Sequence, residues 1–466
     1  MSAGAVPASL VSRAFLALDA LAGDPTDLYF GFHLRLRGPC PDRERLYALV
    51  GDRSRGLPPL THRLVGDGEG ARWEPDPAFD PAHHVHVLTD RDPTPRPARA
   101  LPGLPLDGRR PRWGLWLHRG GGTAGDTGAG TDGYTGGDRD AGTGTGGDRD
   151  AGGEWALSLL AHHAVLDGLS LLSVLGALFA ERSGTRSGTW GDTRGGTGPG
   201  PGAYGRVGRD VCAGLLSLLP DLLPGAAAAP VPAAPPPAAA SRPSRELSHA
   251  AVDLGLLTAT ARATGATVNQ VHLAALAGAL RDGRPGPGAP GTALVPVSTR
   301  ARGADGGGRE LRHVNRLWPV RVPLPLALPD PAARLAAIMA GTSRGTLDRR
   351  RAALRVLTER APERLAVRLL RRLTDPRGVL LTASHVRVPE LGRVLGSRVT
   401  AVTAVPWLPA GTDCFTLLAA DGRVARLSAL VSAPERDPGR LVRRWAREVE
   451  ILHDTAGNGA RRRGGA

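Results

Sequence analysis

The run His162-His163-Ala164-Val165-Leu166-Asp167-Gly168 sets two adjacent imidazoles, a carboxylate four residues after the second, and a glycine in one short segment. Histidine is the side chain whose ordinary pKa lets it take and return a proton near neutral pH, so a His held between rigid elements is a candidate general base. Neighbouring strand residues point to opposite faces, so only one of the two rings looks into a given cavity. The Asp167 carboxylate is placed to orient the corner by accepting backbone amides or an Arg, and Gly168 permits a tight or positive-φ backbone. A structural role fits the same residues: a buried His pair bonded to backbone carbonyls, with Asp167 capping the following helix.

The flanking elements must position this run. Trp155 to Ala161 reads as a strand and Leu169 to Phe179 as a helix, so the imidazoles stand at a strand-to-helix corner. Trp113 to Leu117 reads as a second strand, paired with Trp155 to Leu160 in a hairpin. Between them lies Gly120 to Gly153, rich in Gly, Thr and Asp, with Gly-Gly-Asp-Arg-Asp-Ala-Gly at 136–142 and again at 146–152. Such a tract buries too little apolar surface to offset its ordering entropy and is expected as a loop at the hairpin tip, where length costs little.

A second tract, 182–244, rich in Gly, Pro and Ala, reads as a linker between an N-terminal half, 1–181, and a C-terminal half, 245–466. In the second half, Leu254 to Thr264, Val268 to Arg281, Pro331 to Gly341, Arg350 to Arg372 and Pro438 to Leu452 suit helices. Asn269 stands near the start of the second as a candidate N-cap. Strands fit Thr292 to Ser298, Val314 to Leu324, Gly378 to Val386, Arg398 to Val405, Phe415 to Ala420 and Arg423 to Leu430. The fold class is α/β, in two halves that each carry a sheet and helices.

With 466 residues the chain has ample material for two such cores. Its net charge of +15 comes from 59 basic residues that are all Arg, dispersed and without an aromatic-interleaved stripe, so nucleic acid is not an expected partner. The three cysteines, Cys40, Cys212 and Cys414, are far apart, which fits neither a disulfide framework nor a metal cluster; no metal and a reducing, cytoplasmic setting are expected. Neither a secretory leader nor a membrane-spanning stretch of roughly 18 to 20 apolar residues is read, so any membrane contact is expected to be peripheral.

The HHxxxDG run between strand and helix resembles the acyltransferase superfamily of chloramphenicol acetyltransferase, nonribosomal peptide condensation domains and the bacterial wax ester synthase/diacylglycerol acyltransferases. Several segments, in order, resemble the last of these in its actinobacterial form: Pro59-Leu60-Thr61-His62-Arg63-Leu64 with Trp73, Phe79-Asp80 and His84-Val85; Leu106-Asp107 with Arg110-Pro111-Arg112-Trp113, where Arg112 replaces a Leu; Ala266 to Val271; Val295 to Arg300; and Asn315-Arg316 before Val322-Pro323-Leu324. The family's Ser-Asn-Val-Pro-Gly-Pro segment falls on Thr382 to Glu390, where Ser384 and His385 stand and the Pro-Gly-Pro turn is degraded. His313-Val314 replaces the Gly usual before the Asn.

The resemblance implies two chloramphenicol-acetyltransferase-like or condensation-domain-like halves with an active-site channel between them. In that channel His163 would deprotonate a hydroxyl that attacks the thioester of an acyl-coenzyme A, without an acyl-enzyme and without a resident cofactor. The implied product is triacylglycerol or wax ester, with contact at a membrane or lipid-inclusion surface and a monomer or weak dimer as the working form. Asn315 and backbone amides would hold the oxyanion, with Ser384 at the substrate, Arg63 or Arg300 would partner Asp167, and His162 would be structural or directly involved. A natural-product tailoring or condensation enzyme shares these features, and an inactive lipid- or partner-binding homologue would keep the fold alone.

Overall fold

The structure is a computed structural model and describes residues 5–20, 24–88, 94–105, 108–119, 153–179, 245–281, 291–299, 315–360, 379–408, 412–432 and 437–464, with scattered positions between 361 and 378. The 120–152 insertion, the 182–244 tract, Leu106-Asp107 and Arg300 lie outside the described residues.

Fifteen strands are described: β1 (Val6–Pro7), β2 (Tyr29–Arg37), β3 (His62–Val65), β4 (Arg72–Pro75), β5 (Val85–Leu88), β6 (Trp113–His118), β7 (Glu154–His162), β8 (Glu246–Asp253), β9 (Thr292–Ser298), β10 (Leu317–Pro323), β11 (Leu381–Arg387), β12 (Arg393–Val394), β13 (Ser397–Val405), β14 (Cys414–Asp421) and β15 (Val424–Val431). The helices are α1 (Leu10–Asp19), α2 (Arg43–Ser54), α3 (Pro58–Thr61), α4 (Gly168–Phe179), α5 (Leu254–Thr264), α6 (Val268–Leu280), α7 (Pro331–Gly341), α8 (Arg344–Arg360) and α9 (Pro438–Gly464). Helix starts follow local chemistry. Ser9, Asp42, Asp253 and Asp330 each accept a backbone N–H of the first turn, and Thr267 with Gln270 forms a capping box on α6. Thr267, not Asn269, is therefore the N-cap: its extended backbone turns the hydroxyl onto the Gln270 N–H, and Asn269 already lies in the helix.

Two six-stranded sheets and one three-stranded sheet result. The N-terminal sheet runs β12-β13-β2-β7-β6-β5 and the C-terminal sheet β10-β9-β11-β14-β15-β8, while β1-β4-β3 forms the small sheet. The expected hairpin is present, with β6 and β7 antiparallel from Trp113 opposite Ala161 to His118 opposite Ala156. Strands β12 and β13 come late in the chain yet extend the N-terminal sheet, where Arg398 to Val405 pair antiparallel with Arg37 back to Gly31 of β2. Nine residues of β13, the last five all buried, thus supply from the segment 245–466 a partner for the edge of β2.

One apolar core joins Phe30, Phe32, Leu34 and Leu157 of the N-terminal sheet to Val386, Phe415, Leu417 and Leu430 of the C-terminal sheet. The opposite face of the C-terminal sheet packs on α5, α6, α7 and α9 through Leu257, Val271, Leu335 and Trp445. Trp73, Trp113, Trp116, Trp155, Trp318 and Trp445 are all buried; at about 25 cal/mol per Å², each contributes roughly 4 to 6 kcal/mol before ordering entropy is subtracted. A third cluster sets α1 and α8 against β10 and Ala164, beside the double histidine.

Candidate active site

Strand β7 ends at His162 and α4 begins at Gly168, so the five residues between must turn a sheet strand into a helix. The His163 N–H donates to Leu28 O at 2.8 Å, and the Val165 N–H closes a turn on His162 O at 2.9 Å. The fully buried Asp167 then works with both oxygens. Oδ1 accepts the Ser170 N–H at 2.9 Å, capping α4, and Oδ2 accepts the Arg316 N–H at 3.0 Å from the other half of the chain. Of the tight and positive-φ backbones that Gly168 permits, it does not take the positive-φ one, since it opens α4; a Cβ there would come 3.5 Å from Val386 Cγ1 of β11.

His163 is 6% exposed and caged by aromatic rings. Phe15 of α1 stacks on it at 4.2 Å, Phe30 of β2 lies tilted at 4.6 Å, and Trp407, half-buried, stands edge-on at 5.1 Å. Burial lowers its pKa to about 4, partly opposed by a bond from the ring to the residue's own backbone carbonyl and by the Asp167 charge. The imidazole is therefore neutral near pH 7.

The same carbonyl oxygen accepts from Asn315 Nδ2 at 2.5 Å, and that amide nitrogen lies 3.3 Å from His163 Nδ1. Asn315 is 1% exposed, and its amide is directed at the peptide of His163, on the Nδ1 side of the ring.

His162 faces the other side of β7. Its Nδ1 accepts the Ala164 N–H at 3.1 Å, so in the neutral ring the proton is on Nε2, 3.3 Å from Asp19 Oδ1. Asp19, the last residue of α1, also takes Arg112 NH1 at 2.7 Å. Burial works to raise the Asp19 pKa, but the His162 bond and the Arg112 guanidinium outweigh it and hold the carboxyl below its usual value. Burial likewise lowers the His162 pKa, with the Asp19 bond opposing it. Of the two readings of His162, the geometry fits the structural one.

Arg63, the expected partner of Asp167, sits on β3 opposite Glu74 in the small sheet. Arg300, the other candidate partner, lies outside the described residues. Ser384 stands on β11 opposite Leu417 of β14, two residues before Val386 and on the same face, so it shares the side of the sheet that meets Gly168. His385 points the other way, where the electrostatic influence of its ring reaches His272 of α6. Sequence reading missed Phe15, Phe30, Trp407 and Asp19. For Asp19 one signal existed: the departure of Arg112 from the expected Leu marked a buried charge in need of a partner. Among the described residues no group of three or more His, Cys, Asp or Glu is placed to hold a metal ion, and no helix is long and apolar enough to cross a membrane.

Two mixed sheets with a His corner between them define the condensation-domain-like fold of the chloramphenicol-acetyltransferase type, and solved structures share it over nearly the whole chain. The wax ester synthase/diacylglycerol acyltransferase from Marinobacter aquaeolei VT8 is 17% identical, with 97% of this chain and 100% of that one covered at a TM-score of 0.55. The condensation domain of the Monacolin K polyketide synthase MokA is 15% identical, covering 98% of each chain at 0.56. A starter condensation domain of rhizomide synthetase RzmA, in complex with C8-CoA and Leu-SNAC, is 15% identical, with 97% of this chain and 94% of that one covered at 0.54. No protein-family model matches the sequence, and no curated protein matches it significantly.

Proposed function

We infer that this chain is an acyltransferase that moves a long-chain acyl group from coenzyme A to a hydroxyl acceptor, with His163 as general base. The observation that carries this reading is the setting of the imidazole: neutral, wedged between Phe15 and Phe30 at the strand-to-helix corner, with the amide of Asn315 bonded to its carbonyl. Nε2 takes the proton as the acceptor oxygen attacks the thioester carbonyl. When the C–S bond breaks, the imidazolium returns that proton to the departing thiolate. A low imidazolium pKa makes the ring a modest base but a strong acid for the second step. The donor and acceptor exchange the acyl group directly, so no covalent enzyme intermediate and no resident cofactor are part of the proposal. The solved neighbour in complex with C8-CoA supports a coenzyme A thioester as donor. The family resemblance of the sequence supports diacylglycerol or a long-chain alcohol as acceptor, met at a membrane or lipid-inclusion surface by a cytoplasmic protein.

A second reading replaces the hydroxyl by an amine or small hydroxylated acceptor of natural-product synthesis. It is favoured by residues 382–387, which pair as a regular parallel strand with β14 and lead into Arg387-Val388-Pro389 where the resemblance expects Pro-Gly-Pro. Purified protein assayed with a panel of acyl-coenzyme A donors against diacylglycerol, hexadecanol, small alcohols and amines, reading release of free thiol and the acylated product, separates the two. Ester formation abolished by His163→Ala supports the first reading, and amide formation the second. No transfer to any acceptor, or transfer unchanged in His163→Ala, overturns both and leaves a lipid- or partner-binding role.

A further inference from the structure

The His163 ring is walled by neighbours on both faces and at its Nδ1 edge. Phe15 stacks on one face at 4.2 Å and Phe30 covers the other at 4.6 Å, while the Asn315 amide nitrogen lies 3.3 Å from Nδ1. What is left is the rim that carries Nε2, so the indole of Trp407, 5.1 Å away between centroids and at 66° between planes, stands there. Rings at that separation are in contact, and no substrate carbon fits between them. The three aromatic walls differ in how they are held. Phe15 lies within α1, which Ser9 caps and the Asp19–Arg112 pair anchors, and Phe30 lies within β2, opposite Ala161 of β7. Trp407 follows β13 by two residues and belongs to no helix or strand; beside it, the Leu408 N–H donates to Asp27 O at 3.3 Å. Trp407 is half-buried where Phe15 and Phe30 are buried, and its other ring contacts are Phe15 at 5.7 Å and Phe415 of β14 at 6.0 Å.

We propose that Trp407 is a specificity-determining residue: its indole closes the Nε2 rim of His163, turns aside when a substrate binds, and sets how bulky an acceptor carbon can stand beside the ring. A general base must come within about 2.6 to 3.2 Å of the atom it deprotonates. The acceptor therefore brings its hydroxyl, and the carbon that bears it, to the place the indole occupies, whereas the thioester carbonyl need not touch the imidazole. Trp407 is the wall that can yield. Phe15 and Phe30 are buried with no open side to rotate into, while the indole has solvent beside it and no ladder or helical bond at its own residue to break. The space it leaves is bounded by Phe15 and Phe415, so it receives an apolar group. A primary, unbranched alcohol passes; a branch at the carbinol carbon meets the displaced indole. The acceptor half of the proposal rests on the proposed role of His163 as base, and the closure does not.

Carbethoxylation of the full-length protein by diethyl pyrocarbonate at pH 7 tests the closure without any substrate. The reagent attacks neutral imidazole, and His163 is neutral there, so access sets its rate. Labelling is read by tandem mass spectrometry, which separates His163 from His162, with exposed His83 as the reference. Native His163 should label slowly against His83. Trp407→Ala should speed it by about tenfold or more, as removal of a local closure does. Trp407→Phe, the variant that decides if the alanine does not fold, should fall between them. His162, buried on the opposite face of β7, should stay unlabelled throughout. Rapid labelling of native His163, an unchanged rate in the folded variants, or His162 labelled in step with His163 overturns the closure, the last because it marks general loosening. In the acyl-transfer assay, the preference in kcat/KM for hexadecan-1-ol over hexadecan-2-ol should shrink about tenfold in Trp407→Ala. An unchanged ratio overturns the specificity role even where labelling rises. If the native protein acylates no alcohol, the base reading falls and takes the acceptor half with it, while the labelling still decides the closure.

Discussion

The Arg316 main-chain N–H donates to Asp167 Oδ2 at 3.0 Å, joining two residues from opposite halves of the chain. The carboxylate therefore has two tasks that no single neighbour could share: it caps α4 through Oδ1 and receives the C-terminal half through Oδ2. Substituting Asp167 removes both. Asp167→Ala is expected to cost about 1 to 2 kcal/mol of stability through the lost cap alone. Asp167→Asn, able to keep one bond at most, should fall between it and the native protein. Urea midpoints of the three proteins at equal m-value are the check, and an Ala variant as stable as the native protein would refute the dual role.

His163→Ala removes the proposed base while leaving the backbone bonds of the corner in place, since the His163 N–H and carbonyl remain. Acyl transfer is expected to fall by about 10² to 10⁴-fold, the usual contribution of a general base, with the far-ultraviolet spectrum unchanged. A fall of less than tenfold would remove His163 from proton transfer.

The pH response follows from burial. Desolvation lowers His84, His163 and His385 to about 4 and His272 to about 3, against an ordinary value of 6.5. Between those values the unfolded chain binds protons that the folded chain refuses, so stability is full above pH 6.5 and is lost as pH falls towards 4. At pH 5 one such histidine withdraws roughly 2 kcal/mol. The melting temperature should therefore decline steadily from about pH 6.5 to 4.5, and kcat/KM should keep its plateau to a lower pH than a free imidazole allows. An activity limb centred at 6.5 would mean that the working base is a solvated group.

Asp19 ties α1 to the first histidine, and α1 carries the Phe15 ring that stacks on the second. Asp19→Ala leaves the His162 Nε2–H and the Arg112 guanidinium without their acceptor. A loss of about 1 to 3 kcal/mol is expected for such buried donors, together with a higher pKa for His163 as Phe15 loosens and water enters. Titration of His163 by NMR reads the second effect. An unmoved pKa would show that Phe15 is held by its own packing.

The sequence was most informative where structure is local. Leu254 to Thr264, Thr292 to Ser298 and Pro331 to Gly341 fold over the spans their periodicity and caps indicate, and the corner between β7 and α4 lies where the apolar pattern changes period. It was least informative where partners are distant. Nothing in the apolar residues of 397–405 says that the strand joins the N-terminal sheet, because apolar patterning encodes burial and not the identity of a neighbour. For the same reason the contact of the Asn315 amide with a peptide 152 positions earlier could not be read from the sequence. The aromatic cage was hidden by dispersal: Phe15, Phe30 and Trp407 belong to a helix, a strand and a loop with no shared motif.

The late strand β13 also sets a schedule for synthesis. A nascent chain that has emerged only as far as α4 has β2 and β7 in hand, but one flank of β2 is bare, and it stays bare until residue 405 has left the ribosome. The first sheet to begin is thus among the last to be finished. A gene cut in the 182–244 tract would yield two products that must find each other before either is whole, and the catalytic corner would be born incomplete in the first of them.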